Sequence, residues 1–280
     1  MFKSIFSTFA LALSLAVPAG AQTIERIKET GELRLGFRTD AVPLSYQTDE
    51  GNPAGYTPEL CAVLAQGIIN HLQISTLDVN FVPVDTRTRF DAVANGEIDI
   101  LCGAATITLG RRQKVDFSVP IYVDGASVML PVAADESFQS LEGKTIGVRA
   151  GTTTEAGLET TLSDLGMTAK IERFNDHGAG VDAVANGTID AYFADQSILL
   201  GQLGTRKLAR SVKVSNDILT IEKHGLAMAR GDSDFRLLVD TVLSEMFDGG
   251  TIETVFRESM PGVVPGIALQ AMFLLSPTLP

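Results

Sequence analysis

A nine-residue segment occurs twice in this chain. Asp91–Asp99 reads DAVANGEID and Asp182–Asp190 reads DAVANGTID, identical at eight of nine positions and starting 91 residues apart. Each copy carries the apolar spacing of a short helix, an Asn-Gly stop and the start of a short apolar strand. Each is preceded by an Asp-polar pair, Asp85-Thr86 and Asp176-His177. Glycine just past the last turn supplies the left-handed residue that ends many helices. A helix–strand unit present twice predicts two similar α/β lobes.

The surrounding pattern agrees. Strands are expected at Glu32–Phe37, Val79–Val84, Glu97–Cys102 and Lys144–Val148. Helices are expected over Thr88–Asn95 and from Thr57, with Thr57 as cap, Pro58 at the first position and Leu60, Leu64 and Ile68 on the apolar face. Ligands of open α/β sheets bind beyond the carboxyl ends of the strands. Ala104 and Asp195 each lie 13 residues beyond the start of their copy, so they should face each other across a cleft between the lobes.

The stretch after the first copy, Cys102–Arg112, reads CGAATITLGRR. Small residues allow close backbone approach, Thr106 and Thr108 supply hydroxyls, and Thr108 can cap a helical turn that carries Arg111. Hydroxyls, free N–H groups and a guanidinium then converge as a carboxylate clamp. The alternative is a capped surface helix with a solvated arginine. With Asp195 opposite, the clamp suits a zwitterion, its α-carboxylate on Arg111 and Thr106 and its α-ammonium on Asp195. In the second lobe Gly151–Glu155, GTTTE, opens a helix and offers further N–H groups to an anion.

Met1–Ala21 has the form of a signal peptide: Lys3, an apolar run from Ile5 to Val17, and Ala19-Gly20-Ala21 as the cleavage site. Without Lys3 the formal net charge moves from −12 to −13, which argues against nucleic acid and anionic membranes as partners. Val263–Leu279 is apolar but interrupted by Pro265 and Pro277, too short to span a bilayer, and is expected to pack as core. Cys61 and Cys102 are the only cysteines, and an even count in an exported chain predicts a disulfide, two separate buried thiols being the alternative. Motifs for a serine nucleophile, zinc or a P-loop are absent. Gly178–Ala183 matches G-x-G-x-x-A, but the polar Lys170–Arg173 before it is no buried Rossmann strand, so it is a decoy. His71 is expected on a solvated helix face and His224 near a strand crossing between lobes, which makes no metal site. No cofactor and no metal are expected.

Taken together, LGFRTD (Leu35–Asp40), GYTPELC (Gly55–Cys61), the clamp stretch, VDFS (Val115–Ser118), GTTTE, DHG (Asp176–Gly178) and FADQ (Phe193–Gln196) cover the mature chain in order. The set resembles the periplasmic solute-binding proteins of polar amino-acid ABC importers, family 3, and within them the glutamate/aspartate-binding proteins. The resemblance implies a two-lobe periplasmic-binding-protein-like fold of type II, hinged by two crossing strands. It implies that Arg111 and Thr106, with the Thr152-Thr153 region, bind the α-carboxylate and Asp195 the α-ammonium. Arg38, Arg89 and His177 would surround the acidic side chain, and Cys61 would pair with Cys102. One departure is Ala104, where the family commonly has a hydroxyl residue; its carbonyl can still accept.

The lobes are expected to be discontinuous: residues 22–122 with 226–280 form the first and 123–225 the second. The expected role is that of a periplasmic monomer, not inserted in the membrane, which closes on an acidic amino acid and delivers it to an inner-membrane ABC permease. The alternatives are an exported dehydratase-like enzyme on the same fold and a ligand sensor read by a membrane receptor. Dehydratase chemistry needs a general acid held neutral in the cleft, and the cleft residues legible here are arginines, threonines, a histidine and an aspartate already engaged.

Overall fold

The computed structural model describes residues 23–278; the expected signal peptide lies outside the described residues. After helix α1 (Thr23–Thr30), strand β1 (Glu32–Arg38) leads to a small sheet of β2 (Asp40–Ala41), β3 (Ser45–Gln47) and β4 (Pro53–Ala54). Helix α2 (Tyr56–Leu72), strand β5 (Asp78–Val84), helix α3 (Arg89–Ala94), strand β6 (Ile100–Cys102), the single turn α4 (Leu109–Arg112) and strand β7 (Val115–Phe117) follow. The chain then crosses in β8 (Tyr122–Asp124) to β9 (Ala126–Pro131), β10 (Thr145–Arg149), α5 (Thr153–Leu165), β11 (Lys170–Phe174), α6 (His177–Ala185), β12 (Ala191–Asp195), α7 (Gln196–Thr205) and β13 (Val212–Val214). It returns in β14 (Glu222–His224) to β15 (Ala227–Ala229) and helices α8 (Ser233–Asp248), α9 (Thr251–Ser259) and α10 (Ile267–Leu275).

The two five-stranded sheets have one design, ordered β5-β1-β6-β15-β7 and β11-β10-β12-β9-β13. In each, the first three strands are parallel and the fourth place is taken by an antiparallel strand adjoining a crossing, β15 after β14 and β9 after β8. The crossing strands pair with each other, Glu222 opposite Asp124 and His224 opposite Tyr122. Each sheet is covered on both faces by apolar clusters, as parallel strands require.

The repeated nonapeptide has a structural cause. Asn95 and Asn186 end α3 and α6, and Gly96 and Gly187 follow at φ 69° and 71°, which an L side chain rarely adopts. The final aspartates then fasten the unit to corresponding strands of the two sheets, β1 and β10: Arg34 N donates to Asp99 at 2.8 Å, and Thr145 N donates to Asp190 at 2.9 Å. The G-x-G-x-x-A segment lies inside α6, where a side chain at Gly180 would run into the Tyr192 ring. Its glycine permits helix–sheet packing.

Cys61 on α2 and Cys102 at the end of β6 are joined in a disulfide across 41 residues. Loop closure over that length reduces the freedom of the unfolded chain by about 4 kcal/mol in the entropic account. The staple anchors the strand that leads into the clamp. Two local expectations change. Helix α2 begins at Tyr56 after Gly55 at φ 102°, and the Thr57 hydroxyl, instead of capping, shares its one proton between the carbonyls of Leu44 and Cys102. The C-terminal apolar stretch packs on one face only: Leu269, Met272 and Phe273 are buried, whereas Val264, Ile267, Leu274 and Leu275 are exposed. Among the described residues no helix is long and apolar enough to cross a membrane.

Candidate functional site

Between the sheets lies a narrow, nearly closed polar cleft with a cavity of about 10 Å³. All nine residues singled out from the sequence line it: Arg38, Arg89, Ala104, Thr106, Arg111, Thr152, Thr153, His177 and Asp195. Their positions follow from the fold. Arg38 ends β1, Arg89 opens α3, Ala104 and Thr106 follow β6, Thr152 and Thr153 start α5, His177 opens α6 and Asp195 ends β12. Parallel strands present their carboxyl ends, and the helix starts that follow them, to the same side.

The capped turn expected at Thr108 forms. Thr108 accepts from Arg111 N at 3.1 Å, and the Arg111 guanidinium donates to the Thr106 carbonyl at 2.8 Å. Arg89, 1% exposed, donates to the carbonyl of Ala104 at 3.1 Å, so that carbonyl keeps one lone pair for another donor. Both guanidiniums also lie over the Phe90 ring, 4.9 and 5.0 Å from its centroid, a cation–π support that sequence reasoning missed.

Arg149, at the end of β10 where Arg38 ends β1, is a further cavity residue missed from the sequence. An arginine closes the corresponding strands β1 and β10, LRLGFR and TIGVR, a signal that was available. The two share one buried carboxylate: Asp40 accepts from Arg38 at 2.6 Å and from Arg149 at 2.7 Å, and Arg149 also pairs with Asp85 at 3.1 Å. Burial works against the Asp40 charge, but the guanidiniums of Arg38 and Arg149 outweigh it and hold this carboxyl far below its ordinary range. Arg38 and Arg149 are thus neutralised within the protein and tie one lobe to the other. Among the described residues, Arg89 and Arg111 have no carboxylate partner. Burial, then the Arg38 and Arg111 charges, lower Arg89, and burial lowers Arg111 against Glu222 and Asp195.

The hinge contributes the rest. Asp195 faces His224 of β14 at 3.4 Å, an ion pair too long for a well-formed hydrogen bond. Burial opposes the charge on both, yet each raises the other's charged form, so Asp195 is lowered and His224 raised. Glu222, also on β14, accepts from the hydroxyls of Thr106 at 2.6 Å and Thr153 at 2.8 Å. Sequence reasoning placed His224 at a crossing but gave it no role, and passed over Glu222. Thr152 spends its side chain locally, accepting from Glu155 N and donating to the Arg149 carbonyl. It fixes the start of α5, whose first N–H groups have no intrahelical acceptor.

Buried polar atoms without a hydrogen-bond partner concentrate here: Arg38 Nε, Arg89 Nε, Thr154 Oγ1 and His177 Nε2 all belong to cavity residues. Each such atom typically costs about 1–3 kcal/mol, so the cavity favours a polar ligand. Tyr192 Oη pairs with His177 Nδ1 at 3.0 Å, leaving Nε2 as the free ring nitrogen. Burial and the Arg38 charge push His177 down to about 3, so it is neutral at neutral pH. Between about pH 6.5 and 3 the unfolded chain therefore takes up a proton that the folded chain refuses, and stability falls as pH drops through that window. Urea unfolding from pH 7 to 4 should show a shallower slope for His177→Gln than for wild type, by up to about 1.4 kcal/mol per pH unit. Equal slopes would contradict the neutral imidazole. Among the described residues no group of three or more His, Cys, Asp and Glu is arranged to hold a metal ion.

Two α/β lobes of one strand order, joined by two paired crossings around a polar cavity, define a two-lobe solute-binding fold of type II. Residues 33–260 match the bacterial extracellular solute-binding proteins, family 3, and the chain belongs to that family. It is 30% identical to the L-glutamate/L-aspartate-binding protein of Pseudomonas aeruginosa, over 98% of this chain and 92% of that protein. It is 26% identical to the glutamate/aspartate import solute-binding protein of Escherichia coli, over 98% of this chain and 93% of that one. Among solved structures, an ancestral amino acid-binding protein, a precursor of cyclohexadienyl dehydratase, superposes with a TM-score of 0.74 at 28% identity, covering 84% of this chain and 98% of that one. The family is one of solute-binding proteins, and both curated relatives are binding proteins.

Proposed function

We propose that the chain binds an acidic amino acid, glutamate or aspartate, between its lobes. The observation that carries this reading is the charge balance of the cavity. With Arg38 and Arg149 matched by Asp40 and Asp85, Asp195 facing His224 and Glu222 held by threonine hydroxyls, two cavity guanidiniums, Arg89 and Arg111, make no ion pair among the described residues, and the carboxylate of Asp195 lines the same cavity. An acidic amino acid carries the complement, two carboxylates and one ammonium. Its α-carboxylate goes to Arg111 and the N–H groups at the start of α5 beside Thr152 and Thr153, and its α-ammonium goes to Asp195 with the carbonyl of Ala104. The side-chain carboxylate goes to Arg89, with Arg38 Nε and His177 Nε2 as further donors. The names of the relatives quoted above support the same ligand class.

In this reading residues 22–122 with 226–280 form one lobe, residues 123–225 the other, and β8 and β14 the hinge. The protein acts as a monomer in the periplasm after loss of residues 1–21, and its closed form is recognised by an inner-membrane ABC permease. A thermal-shift screen of the twenty amino acids tests the reading, because a ligand at 100 times its dissociation constant adds about 2.7 kcal/mol to stability. Glutamate or aspartate should give the largest shift. A screen with no shift would overturn it.

A further inference from the structure

Glu222 is 6% exposed and makes no ion pair within 4 Å among the described residues, although its charge acts on Arg111 and His224. Its carboxylate is held by hydroxyls alone: Oε2 by Thr106 and Thr153, and Oε1 by Thr220 at 3.1 Å. A buried carboxylate with no cation in direct contact is costly and persists only where its hydrogen bonds are well made. These come from three directions. Thr106 follows β6 of the first sheet and is fastened to the return crossing by its bridge to His224 and by Ile107 N donating to the Lys223 carbonyl at 2.8 Å. Thr153 starts α5 of the second lobe. Glu222 itself sits in the crossing strand between them. Gly151 confirms how near the lobes come at this point: at φ 78°, it would bring a Cβ to 3.1 Å from the Arg87 side chain.

A threonine hydroxyl has one proton. With Thr106 and Thr153 both donating to Glu222, the 3.2 Å contact between their oxygens carries no hydrogen bond, and neither hydroxyl has a proton left for a ligand carboxylate. Thr106 and Thr153 both line the cavity and Glu222 does not, so their hydroxyl protons are drawn to Glu222 and what the two oxygens have left to offer a ligand is lone pairs. Lone pairs suit an ammonium and repel a carboxylate.

We propose that Glu222 is a positioning residue of this binding site, which takes the hydroxyl protons of Thr106 in one lobe and Thr153 in the other, holds the closed cleft together, and turns both oxygens into acceptors for the ligand's ammonium. The proposal rests on the amino-acid reading of the cleft for its ligand half; its latch half stands on the two hydroxyl contacts. An amide at this position can donate to the hydroxyls and reverse their direction. Glu222→Gln should therefore lose at least tenfold in glutamate affinity, mostly through faster dissociation, while glutarate, which lacks the amine, changes less than threefold. Thr153→Val, which leaves Glu222 in place, should weaken glutamate, and the double variant should be no weaker than the worse single one. The same cycle read by unfolding of the ligand-free proteins should be non-additive, a readout independent of any ligand. Equal losses for glutamate and glutarate, wild-type affinity in Glu222→Gln, or losses that multiply in the double variant would each overturn the proposal. Failure of wild type to bind any amino acid would instead contradict the function proposed above, and the unfolding cycle would still decide the latch.

Discussion

Replacing Arg89 by alanine should reduce glutamate affinity by about a hundredfold or more and glutamine affinity much less. Removing one partner of a buried, hydrogen-bonded charge pair costs about 2–5 kcal/mol, much of it from the charge left behind. In the proposed complex that charge is the ligand's side-chain carboxylate, which would lie in a cavity where Arg38 is already committed to Asp40. Glutamine offers a neutral amide there and loses only a hydrogen bond. The ligand-free protein should respond in the opposite sense. Arg89 is fully buried and faces the like charges of Arg38 and Arg111, so the variant should unfold no earlier than wild type. Isothermal calorimetry with both ligands, alongside unfolding of the unliganded variant, separates the two effects. Parallel losses for glutamate and glutamine would place Arg89 in the framework of α3 rather than on the ligand side chain.

Asp195→Asn should weaken amino acids by a similar factor while affecting glutarate or succinate far less. The substitution keeps the shape at the end of β12 and removes the carboxylate that faces the cavity. The remaining acceptors for an ammonium, the Ala104 carbonyl and the Thr106 and Thr153 hydroxyls, are neutral, and charge-assisted bonds are roughly twice as strong as neutral ones. A dicarboxylate without the amine makes no use of Asp195 and, in the variant, meets one negative charge fewer. His224 loses its ion partner as well, so its raised proton affinity should fall, which NMR titration of the imidazole can follow. If both ligand classes lose equally, Asp195 serves the hinge through His224 and does not read the amine.

The parts of the fold legible in the sequence were those set by local chemistry. The Asn-Gly stops and the closing aspartates of the repeat are short-range signals, and they were enough to show two lobes of one design. The clamp was legible because Thr108 and Arg111 are one turn apart. The charges that set the balance of the cavity were not legible, because their partners are distant: Asp40 meets Arg149 across 109 residues and Thr106 meets Glu222 across 116. Counting arginines alone put three uncompensated cations around the ligand, whereas burial of Asp40 between Arg38 and Arg149 leaves two. Neutral His177 adds none. The pairing of β14 with β8 likewise decides that Glu222 and His224 belong to the site, and no periodicity in a three-residue strand carries that information. Thr57 shows the limit for caps, since its hydroxyl was recruited by tertiary carbonyls once Gly55 had turned the chain.

The central claim is that the cavity is balanced for two carboxylates and one ammonium. Calorimetry of the wild-type protein with glutamate, aspartate, glutamine and asparagine at one pH and salt tests it most directly. A neutral side chain leaves one buried guanidinium without an anion, a cost of about 1.5–3 kcal/mol by the usual range for charged hydrogen bonds. The account predicts that each acid binds at least about tenfold more tightly than its own amide. An amide bound as tightly as its acid, or more tightly, would contradict it.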